Sequence, residues 1–570
     1  MSITYSNSPA VDAGIQRTGA LRVSSLAVIS AGLIGVPLIA LVVFALSAEA
    51  AVWQHLIDTF LLDYILNTLA LALGVGVGVL MLGVGAAWLV AMYQFPGRNW
   101  FEWGLMLPLA APSYIVAFVY TDFLDYAGPV QTWLRTTFGW SSASQYAFPE
   151  IRSLGGAIIV MSLVLYPYVY LLARTAFLSQ SRAAVEAART LGMDQARAFW
   201  RVALPMARPA IAVGLALAMM ETLNEYGTVD FFAVQVFSTG IYHVWLNMGS
   251  LDGAAGLALM LVAVVALLVW LERRNRADRR FADPRHVRGA SPRQSLTPGR
   301  AGLAFLACLL PVFLGFLLPF GLLLSESLGR LDTLFEGQLL AGLLSSLELA
   351  FLAALCAAGL ALWLAYSVRV SGGRGPVVWA ARFASIGYAV PGAVLAVGIL
   401  FPFASFDNAL DGVMRDWFGI STGLLLSGSI FALLFGCTVR FLALAYGATE
   451  SGMERVSRNN DDAARLLGCT SVALVRRVHW PLIRASVLTG ALLVFVDTMK
   501  ELPMTMALRP FNFETLATLA HQYATDEQFA AAAPGALAIV LAGVVPVILM
   551  SRMIRGVSAP RASPYLIESI

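Results

Sequence analysis

The sequence is poor in charged residues and almost without lysine. Charged residues make up 12% of its 570 positions, about half of the quarter that is usual in soluble domains. Hydrophobic residues make up 59%, and the mean hydropathy is +0.76. Because a soluble protein cannot bury so much apolar surface, the composition indicates an integral membrane protein. The apolar runs are 20 residues or longer, which favours membrane-spanning helices over the strands of a barrel.

The scarcity of lysine and cysteine excludes two further kinds of chemistry. A phosphate-binding loop of the form GxxxxGK[ST] needs a lysine, and the only lysine, Lys500, lies in DTMKELP without such a loop. We therefore predict that this chain hydrolyses no ATP, is not an enzyme and carries no cofactor of its own. The four cysteines show neither a CxxC motif nor the spacing of a disulfide framework or a zinc site. We interpret each as a small buried hydrophobic residue.

Twelve apolar stretches predict an all-α integral membrane fold. The first resembles a signal peptide, because Ala48-Glu49-Ala50 is similar to a cleavage site. Its apolar part is longer than that of a signal peptide, so we interpret it as an uncleaved span. The predicted spans lie at about 23–47, 62–92, 100–123, 154–177, 208–228, 252–271, 301–325, 340–368, 376–404, 422–447, 484–506 and 533–553.

An arginine-rich linker divides the chain into two halves. Residues 272–300 hold nine arginines, three acidic residues and three prolines, which is typical of a solvated, irregular segment. Six spans lie on each side, so we predict two parallel six-span repeats rather than inverted ones. The predicted domains are 1–61 (tail and leading helix), 62–271 (first domain), 272–300 (linker), 301–339 (second leading helix), 340–555 (second domain) and 556–570 (tail).

Arginine is distributed unequally between the loops on the two sides of the predicted bundle. The N-terminal tail, the linker, the loops after spans two, four, eight and ten, and the residues after the last span all carry arginine. The opposite loops carry aspartate and glutamate instead. Because cytoplasmic loops are enriched in arginine and lysine, we predict that both termini and the linker are cytoplasmic.

A polar segment occurs twice, at an offset of 276 residues. Residues 186–205 read EAARTLGMDQARAFWRVALP, and residues 462–481 read DAARLLGCTSVALVRRVHWP. An acidic residue and two alanines favour a helix at the start of each, and Gly192 and Gly468 stand where a turn with positive φ would end it. The pattern predicts a helix-turn-helix elbow on the cytoplasmic surface, with small residues that let a partner approach. Two helices lying on lipid headgroups would show a larger apolar face.

The repeated segment resembles the signature loop of the permeases of binding-protein-dependent ABC importers, EAA-x3-G-x9-hydrophobic-x-LP. The first copy matches it throughout, whereas Asp462 and Trp480 replace Glu and Leu in the second. The resemblance covers nearly the whole chain, as two fused permease domains with five core spans and one leading span each. It implies the type I importer permease fold and a multi-pass location in the bacterial inner membrane.

The resemblance also implies partners. In that family the elbow is the coupling helix, seated in a groove of a cytoplasmic ATPase. It therefore implies two copies of an ABC ATPase that bind ATP-Mg, a periplasmic substrate-binding protein and surrounding membrane lipid, and no nucleic acid. The residues implied to contact the ATPase are Glu186, Ala187, Ala188, Arg189, Gly192, Asp462, Ala463, Ala464, Arg465 and Gly468.

Acidic residues also recur in the span after each elbow. ETLNEYGT at 221–228 aligns with DTMKELPM at the same offset, so Glu221 matches Asp497 and Glu225 matches Glu501. A spacing of i, i+4 places each pair on one helix face, roughly 20 Å from the cytoplasmic end of the span. A carboxylate in a membrane needs water or a partner. Lys500 could pair with Asp497 within one turn, or it could reach across to the other half. Two interpretations fit this pattern equally well: a translocation path or gate, and an ion-pair lock between the halves.

The cargo is suggested by longer strings around these acids. EYGTVDFFAVQVFSTGIYHVWLNMG and FVDTMKELPMTMALRPFNFETLATLAHQYATDE resemble the ferric-iron branch of the permeases. Paired carboxylates suit a hard trivalent cation, and they suit an organic cation such as thiamine as well. We assign no metal site, and we interpret His243 and the neighbouring aromatic residues as an interfacial belt or a docking surface for the binding protein.

Two other classes of protein share part of this pattern. An ion-coupled secondary transporter can also have six plus six spans, but it does not need matched polar elbows after spans four and ten. A regulatory membrane scaffold would bind an ATPase without transporting a solute. Uptake measurements with and without ATP distinguish these classes from an ABC permease.

Overall fold

The computed structural model describes residues 28, 32, 34–47, 50–178, 182–277, 293–384 and 387–558. These residues are predominantly helical, which confirms the predicted fold class. The helices before the linker are α1 Ile34–Ser47, α2 Ala50–Thr59, α3 Leu61–Met92, α4 Arg98–Gly104, α5 Ser113–Leu124, α6 Pro129–Phe138, α7 Leu154–Ala176, α8 Arg182–Thr190, α9 Gln195–Ala198, α10 Leu204–Asn224, α11 Gly227–Phe231, α12 Phe237–Tyr242 and α13 Leu251–Ala277.

The second half repeats this order of long and short helices. Its helices are α14 Pro298–Val312, α15 Leu318–Ser327, α16 Gly337–Val370, α17 Pro376–Ala384, α18 Gly392–Phe418, α19 Ile430–Glu454, α20 Arg458–Leu466, α21 Ser471–Leu474, α22 Trp480–Met499, α23 Pro503–Leu508, α24 Leu516–Thr525 and α25 Phe529–Ser558. Short 3-10 turns lie at Leu107–Ala110, Ala143–Gln145, Leu331–Phe335 and Gly387–Ala389, and π turns lie at Phe199–Ala203, His243–Asn247, Phe313–Leu317 and Val475–His479.

Helices occur at all twelve predicted spans. Among the described residues, ten helices are long and apolar enough to cross a membrane, and a bent pair of helices forms an eleventh candidate. The remaining predicted span, the first, is represented by the shorter apolar helix α1. Residues 1–27 and 559–570, which hold the predicted cytoplasmic tails, lie outside the described residues.

The third and ninth spans are broken, although the sequence predicts continuous helices there. The two parts of the third, Arg98–Ala110 and Ser113–Phe138, are bent by 89°. The ninth is interrupted between α17 and α18. Pro112 and Pro391 precede α5 and α18 with extended backbones, each with ψ of 142°. Because proline has no N–H to donate to the preceding turn, the same residue type ends the helix in both halves.

The linker region contains more regular structure than its composition predicts. Helix α13 continues to Ala277, six residues beyond the predicted end of its span at 271. Two-residue strands β1 (Tyr93–Gln94) and β2 (Gln294–Ser295) pair in parallel, with Tyr93 opposite Gln294. Residues 278–292, the central part of the linker, lie outside the described residues.

The described residues group into two compact units that each combine parts of both halves. Unit one comprises the described residues of 1–70, 222–270 and 331–528. Helices α16, α19 and α22 pack against one another in its core. The first leading helix, α1, packs on α18, because the rings of Phe44 and Phe401 lie 3.5 Å apart between centroids. The leading span of the first half thus contacts a span of the second half.

Unit two comprises the described residues of 71–221, 271–330 and 529–570. Helix α25 packs on the turn Leu107–Ala110 and on α15. The second leading span, α14 and α15, packs on the first half, where the Phe305 ring lies 5.3 Å from that of Phe101 between centroids. The second leading span thus contacts the first half, just as the first leading span contacts the second half. We call this arrangement the exchange of leading spans.

The predicted burial of the cysteines is correct for two of the four. Cys308 and Cys437 are buried, whereas Cys356 is exposed and Cys469 is half-buried. Cys356 lies on a face of α16 that no other described helix covers, and Cys469 directly follows the turn glycine of the second elbow. The apolar character of their neighbours predicts burial only where another helix packs on the same face.

Candidate coupling elbows and outer helix breaks

Both polar repeats fold into the predicted helix-turn-helix elbow. Helix α8 ends at a turn in which Gly192 has φ of 87°, and α20 ends at a turn in which Gly468 has φ of 81°. The N–H of Gly192 donates to the Arg189 carbonyl at 3.0 Å, and the N–H of Met193 donates to the Ala188 carbonyl at 3.1 Å. These two bonds close a Schellman motif, in which glycine adopts positive φ without the strain that a side chain would add.

The second elbow repeats this hydrogen bonding residue for residue. The N–H of Gly468 donates to Arg465 at 2.9 Å, and the N–H of Cys469 donates to Ala464 at 3.0 Å. A short second helix then follows in each elbow, α9 or α21, and leads through a π turn into the next span. The two segments are therefore twins in backbone geometry as well as in sequence.

The elbows present leucine, rather than only alanine, to their surroundings. Leu191 and Leu467, which directly precede the turn glycines, are each 85% exposed. Ala187 and Ala463 are exposed as well, but Ala188 and Ala464 are buried. Ala188 and Ala464 therefore face the chain itself, whereas Ala187 and Ala463 are the small residues on the exposed side.

The charged residues of the elbows lie mostly on the exposed side. Arg189 donates to the Gln294 side chain at 3.4 Å. Arg465 and Asp462 form an ion pair at 3.9 Å in which both side chains are exposed. The side chain of Glu186 lies outside the described residues, although its backbone belongs to α8.

The second elbow is fixed to the rest of unit one by a buried ionic network. Arg369, at the end of α16, donates from Nε to Asp461 in α20 at 2.6 Å, and its other nitrogens donate to the Met453 and Val456 carbonyls. His479 Nε2 lies 2.8 Å from the other oxygen of Asp461. Burial would raise the pKa of Asp461, but the hydrogen bonds from Arg369 and His479 together hold that pKa below its usual value.

The first elbow is fixed to unit two by apolar and aromatic contacts instead. The positions equivalent to Asp461 and His479 are Val185 and Ala203, and both are buried. Beside them, the Trp88 ring lies 5.3 Å from Phe177 and 4.8 Å from Phe199, between ring centroids. Burial of such aromatic groups stabilises a fold through the apolar area removed from water and through ring packing.

The spans after the elbows end earlier than predicted. Helix α10 ends at Asn224 and α22 at Met499, and short helices α11 and α23 follow these breaks. Glu225 and Glu501 lie in the breaks, so they do not share a helix face with Glu221 and Asp497, contrary to the predicted i, i+4 arrangement. Gly227 and Pro503 are the first residues of the short helices that follow the breaks.

Each acid in a break accepts a hydrogen bond from the backbone of the helix that follows it. Glu225 Oε1 accepts from the N–H and the hydroxyl of Thr228, each at 2.9 Å. Glu501 Oε1 accepts from the Met504 N–H at 3.0 Å. A carboxylate at this position satisfies a donor that the first turn of a helix leaves unbonded. The recurrence of the acids thus has a structural cause in the repeated helix break.

Glu501 also has a charged partner, which the sequence analysis missed. Arg440 Nη1 in α19 lies 2.9 Å from Glu501 Oε1, and both side chains are buried. Gly392 borders this pair, because a side chain at this position would collide with Arg440 Nη1 and Glu501 Oε1. The only sequence signal was an arginine inside an apolar span, which usually marks a paired or functional group.

The remaining charges of the second break pair locally. Lys500 Nζ lies 2.8 Å from Asp497 Oδ1, which confirms the predicted contact within one turn. This ion pair and the pair of Arg440 with Glu501 both lie within the second half. The hypothesis of an ion-pair lock between the halves therefore finds no support in these two pairs.

Other residues of unit one join the two halves near the breaks. Asn224 Oδ1, at the position equivalent to Lys500, accepts from the Gly392 N–H at 2.9 Å. The Tyr242 hydroxyl donates to the Pro503 carbonyl, and His521 Nε2 lies 3.3 Å from Asp230 Oδ2. No local sequence pattern marks these residues, because each contact joins segments that are more than 160 positions apart.

No three His, Cys, Asp or Glu side chains converge to hold a metal ion anywhere in the described residues. A cavity lies between α6 and the loops that follow α5 and α6. It has a volume of about 410 Å³ and is lined in part by Asp125, Tyr126, Gln131, Tyr146 and Arg152. The Arg135 guanidinium lies 4.0 Å from the centre of the Tyr126 ring. This loop region is therefore folded and partly polar.

Known proteins match this chain in two segments, and each segment contains one of the elbows. The family model of the binding-protein-dependent transport system inner membrane component matches twice, at residues 79–276 and 357–559. The chain is 26% identical over 498 residues to the Fe(3+)-transport system permease protein FbpB 2 of Haemophilus influenzae, covering 85% of this chain and 89% of that protein.

Other relatives match only part of the chain. The molybdenum transport system permease protein ModB of Escherichia coli is 30% identical over 212 residues, covering 35% of this chain and 89% of that protein. The sulfate transport system permease protein CysT of Escherichia coli is 25% identical over 209 residues, covering 35% of this chain and 70% of that protein. With two family matches that span well over half of its length, this multi-pass membrane chain belongs to the family of permease components of binding-protein-dependent transport systems.

Proposed function

We propose that the chain is the membrane-spanning subunit of an ATP-driven importer for ferric iron in the bacterial inner membrane. The observation that carries the assignment to iron is the similarity to the Fe(3+)-transport permease, which extends over 85% of the chain. The matches to molybdenum and sulfate permeases cover about a third of it. Carboxylates at the two breaks suit a cation better than these oxyanions, although Glu501 and Asp497 already have Arg440 and Lys500 as charged partners.

The elbows supply the proposed contact with the motor. Their matched Schellman turns and their exposed leucines, Leu191 and Leu467, give two equivalent docking points for two copies of an ABC ATPase. ATP-Mg would bind to those partners, since Lys500 is the only lysine of this chain and lies in no phosphate-binding loop. Closure of the ATPase dimer would move both elbows together and switch the spans between outward-facing and inward-facing states.

The breaks supply the proposed path. They interrupt α10 and α22 at equivalent positions, and an unwound segment can change its backbone conformation more easily than a continuous helix. A periplasmic binding protein would dock on the outer loops and release its cargo toward Glu221, Glu225 and the equivalent residues of the second half. The arginine-rich loops, the linker and both termini would face the cytoplasm.

Reconstituted vesicles test this function. The full chain is inserted together with its ATPase, and radiolabelled ferric iron is supplied with the periplasmic binding protein. We expect uptake that requires ATP on the side of the membrane where the ATPase is bound. This uptake should continue when the proton gradient is dissipated. Uptake that depends on the proton gradient and ignores ATP would show a secondary transporter, and no uptake of any solute would favour a regulatory scaffold.

The same vesicles test the cargo. Thiamine is the alternative, because paired carboxylates also suit an organic cation. We expect iron uptake to be unaffected by an excess of thiamine and radiolabelled thiamine to remain outside. Accumulation of thiamine with no accumulation of iron would refute the assignment to iron and leave the ABC mechanism standing.

A further inference from the structure

Three side chains with metal-binding atoms meet beside the outer break of unit one. Tyr226 precedes α11, Asp230 lies one turn later in the same helix, and His521 comes from α24 of the second half. His521 Nε2 lies 3.3 Å from Asp230 Oδ2. The Asp230 N–H donates to the Tyr226 carbonyl at 2.8 Å, so the two side chains are one helical turn apart on the same face. The rings of Tyr226 and His521 lie 6.2 Å apart between centroids. One carboxylate is thus within reach of a phenol and an imidazole.

The three side chains of this cluster differ in their exposure to solvent. Tyr226 and His521 are buried, whereas the Asp230 side chain is 36% exposed. A cation that approaches would meet the carboxylate first and then the two buried rings. The positions of the buried groups are fixed by packing, since the Tyr226 ring also lies 4.3 Å from the Tyr242 ring between centroids.

We propose that Tyr226, Asp230 and His521 bind the ferric ion as it enters the permease. This inference rests on the proposed function and names the residues that receive the cargo. Carboxylate and phenolate oxygens suit a hard trivalent cation, and imidazole is a common ligand of iron. Two ligand atoms at about 2.1 Å from one ion lie roughly 3.0–3.4 Å from each other, and the 3.3 Å between Asp230 and His521 falls in that range.

Binding changes the protonation of two groups. The Tyr226 phenol loses its proton to solvent as its oxygen binds the ion. His521 Nε2 gives up the hydrogen that it holds toward Asp230, to Nδ1 or to solvent, so that its lone pair binds the ion. The oxidation state of the iron does not change. The ion would then bridge a residue of the first half and a residue of the second, so any movement of the two halves that separates Asp230 from His521 releases it.

The equivalent positions in the other half do not repeat this cluster. The residues equivalent to Tyr226 and Asp230 are Leu502 and Met506. The capping boxes of α12 and α24, with Thr239 and Thr518 at the same position, make Tyr242 the residue equivalent to His521. Because the carboxylate and one of the two other ligands are replaced by apolar side chains, the inference predicts one ion per chain. The acids of the breaks are less suited to this task, because Glu225 accepts hydrogen bonds from Thr228 and Glu501 is paired with Arg440.

Spectroscopy on the purified full chain tests the proposal. Ferric iron, supplied as its citrate chelate, is titrated into the protein in detergent, and binding is followed by radiolabelled iron and by visible absorption. A tyrosinate bound to ferric iron gives a charge-transfer band that citrate alone does not give. We expect one ion per chain, loss of the band in Tyr226→Phe, and affinity lower by about tenfold or more in Asp230→Asn and His521→Gln.

Neighbouring residues of the same types provide matched controls. Tyr523 and Asp526 lie at the end of α24, and Tyr523 hydrogen-bonds to Gln338 away from the cluster. Tyr523→Phe and Asp526→Asn should keep the band and the affinity of the parent. Size-exclusion profiles identify any variant that has misfolded, and the conservative Tyr226→Phe change retains the ring that packs on Tyr242.

The outcomes separate this inference from the proposed function. A parent protein without the band, a Tyr226→Phe variant that retains it, or controls that lose as much affinity as the cluster variants would overturn the site. ATP-driven iron uptake by such a protein would leave the proposed function intact. A band that is lost in Tyr226→Phe, in a protein whose vesicles take up no iron, would support the site and refute the transport assignment.

Discussion

The two elbows have the same backbone geometry, but different residues hold them in place. We call the residues that pack beneath each elbow its foundation. Both end their first helix in a Schellman turn, with φ of 87° at Gly192 and 81° at Gly468. The second elbow is fixed by the ionic network of Arg369, Asp461 and His479. At the equivalent positions the first has Tyr93, Val185 and Ala203, beside the Trp88 ring cluster. Duplicated segments thus retained the turn while the contacts beneath them diverged.

The difference teaches which part of the elbow the proposed function constrains. The turn is the part that a partner would touch, and it is the same in both copies. The foundation only has to hold the turn in place, and two kinds of interaction can do that. A buried ion pair stabilises a fold little more than a well-packed apolar group of similar size, so both solutions are available to a diverging pair.

The largest expected effect follows from removing one charge of the second foundation. Arg369→Met leaves Asp461 buried beside His479 without its guanidinium partner, which costs about 3–5 kcal/mol for a buried pair. Cys469 is half-buried next to the turn, so it reports on the second elbow when the other three cysteines are replaced by alanine. We expect much faster maleimide labelling of Cys469 and loss of ATP-driven uptake.

A transplant from the first elbow is the matched control for this change. Arg369→Tyr, Asp461→Val and His479→Ala together install the residues of the first foundation in the second. We expect labelling of Cys469 to slow again toward the parent rate, because no buried charge is left without a partner. A triple variant that is as loose as Arg369→Met would show that the ionic network has a role beyond holding the turn.

The next effect is expected to be equal in the two elbows. Gly192→Val and Gly468→Val each force a β-branched residue into positive φ, at about 1–2 kcal/mol, which corresponds to roughly 5–30-fold in an equilibrium. We expect a similar loss of uptake from either change, with normal membrane insertion. Asparagine tolerates positive φ better, so Gly192→Asn and Gly468→Asn should lose less. An effect confined to one elbow would contradict their equivalence.

Acid should loosen the second elbow and leave the first unchanged. The pKa of Asp461 in the folded chain is below its usual value, so its contribution is complete above the unfolded pKa of about 3.9 and disappears as the pH falls through the folded pKa. Hydrogen exchange between pH 6 and 3, corrected for the intrinsic rate, should rise in 458–468 relative to 182–192. Equal changes in both segments would contradict this assignment.

The helical fold and the twin turns could be predicted because their causes are local. Hydrophobic length predicts the spans, and a glycine after a short polar helix predicts the turn. The breaks at Pro112 and Pro391 were within reach of the same reasoning, because proline interrupts helices in a recognisable way. Because long apolar runs surround both prolines, each stretch is predicted as one continuous span.

The foundations and the contacts between the halves could not be predicted in this way. Arg440 and Glu501 are 61 residues apart, and Asn224 and Gly392 are 168 apart. Periodicity and composition describe neighbours in the sequence, whereas these contacts depend on which helices pack together. The exchange of leading spans adds to the difficulty, because α1 belongs to the first half and packs on α18 of the second.

The smallest expected effect distinguishes the buried network from a surface ion pair of the same elbow. Arg465 and Asp462 are 3.9 Å apart and both exposed, and such pairs contribute about 0–1 kcal/mol. Arg465→Ala should therefore leave the labelling rate of Cys469 within about a factor of five of the parent, in contrast to Arg369→Met. Any larger loss of uptake in Arg465→Ala would then have to arise in the contact with the ATPase, since the elbow itself would be intact. Labelling of Cys469 as fast as in Arg369→Met would show instead that the surface pair holds the turn, and it would remove the distinction between the two foundations.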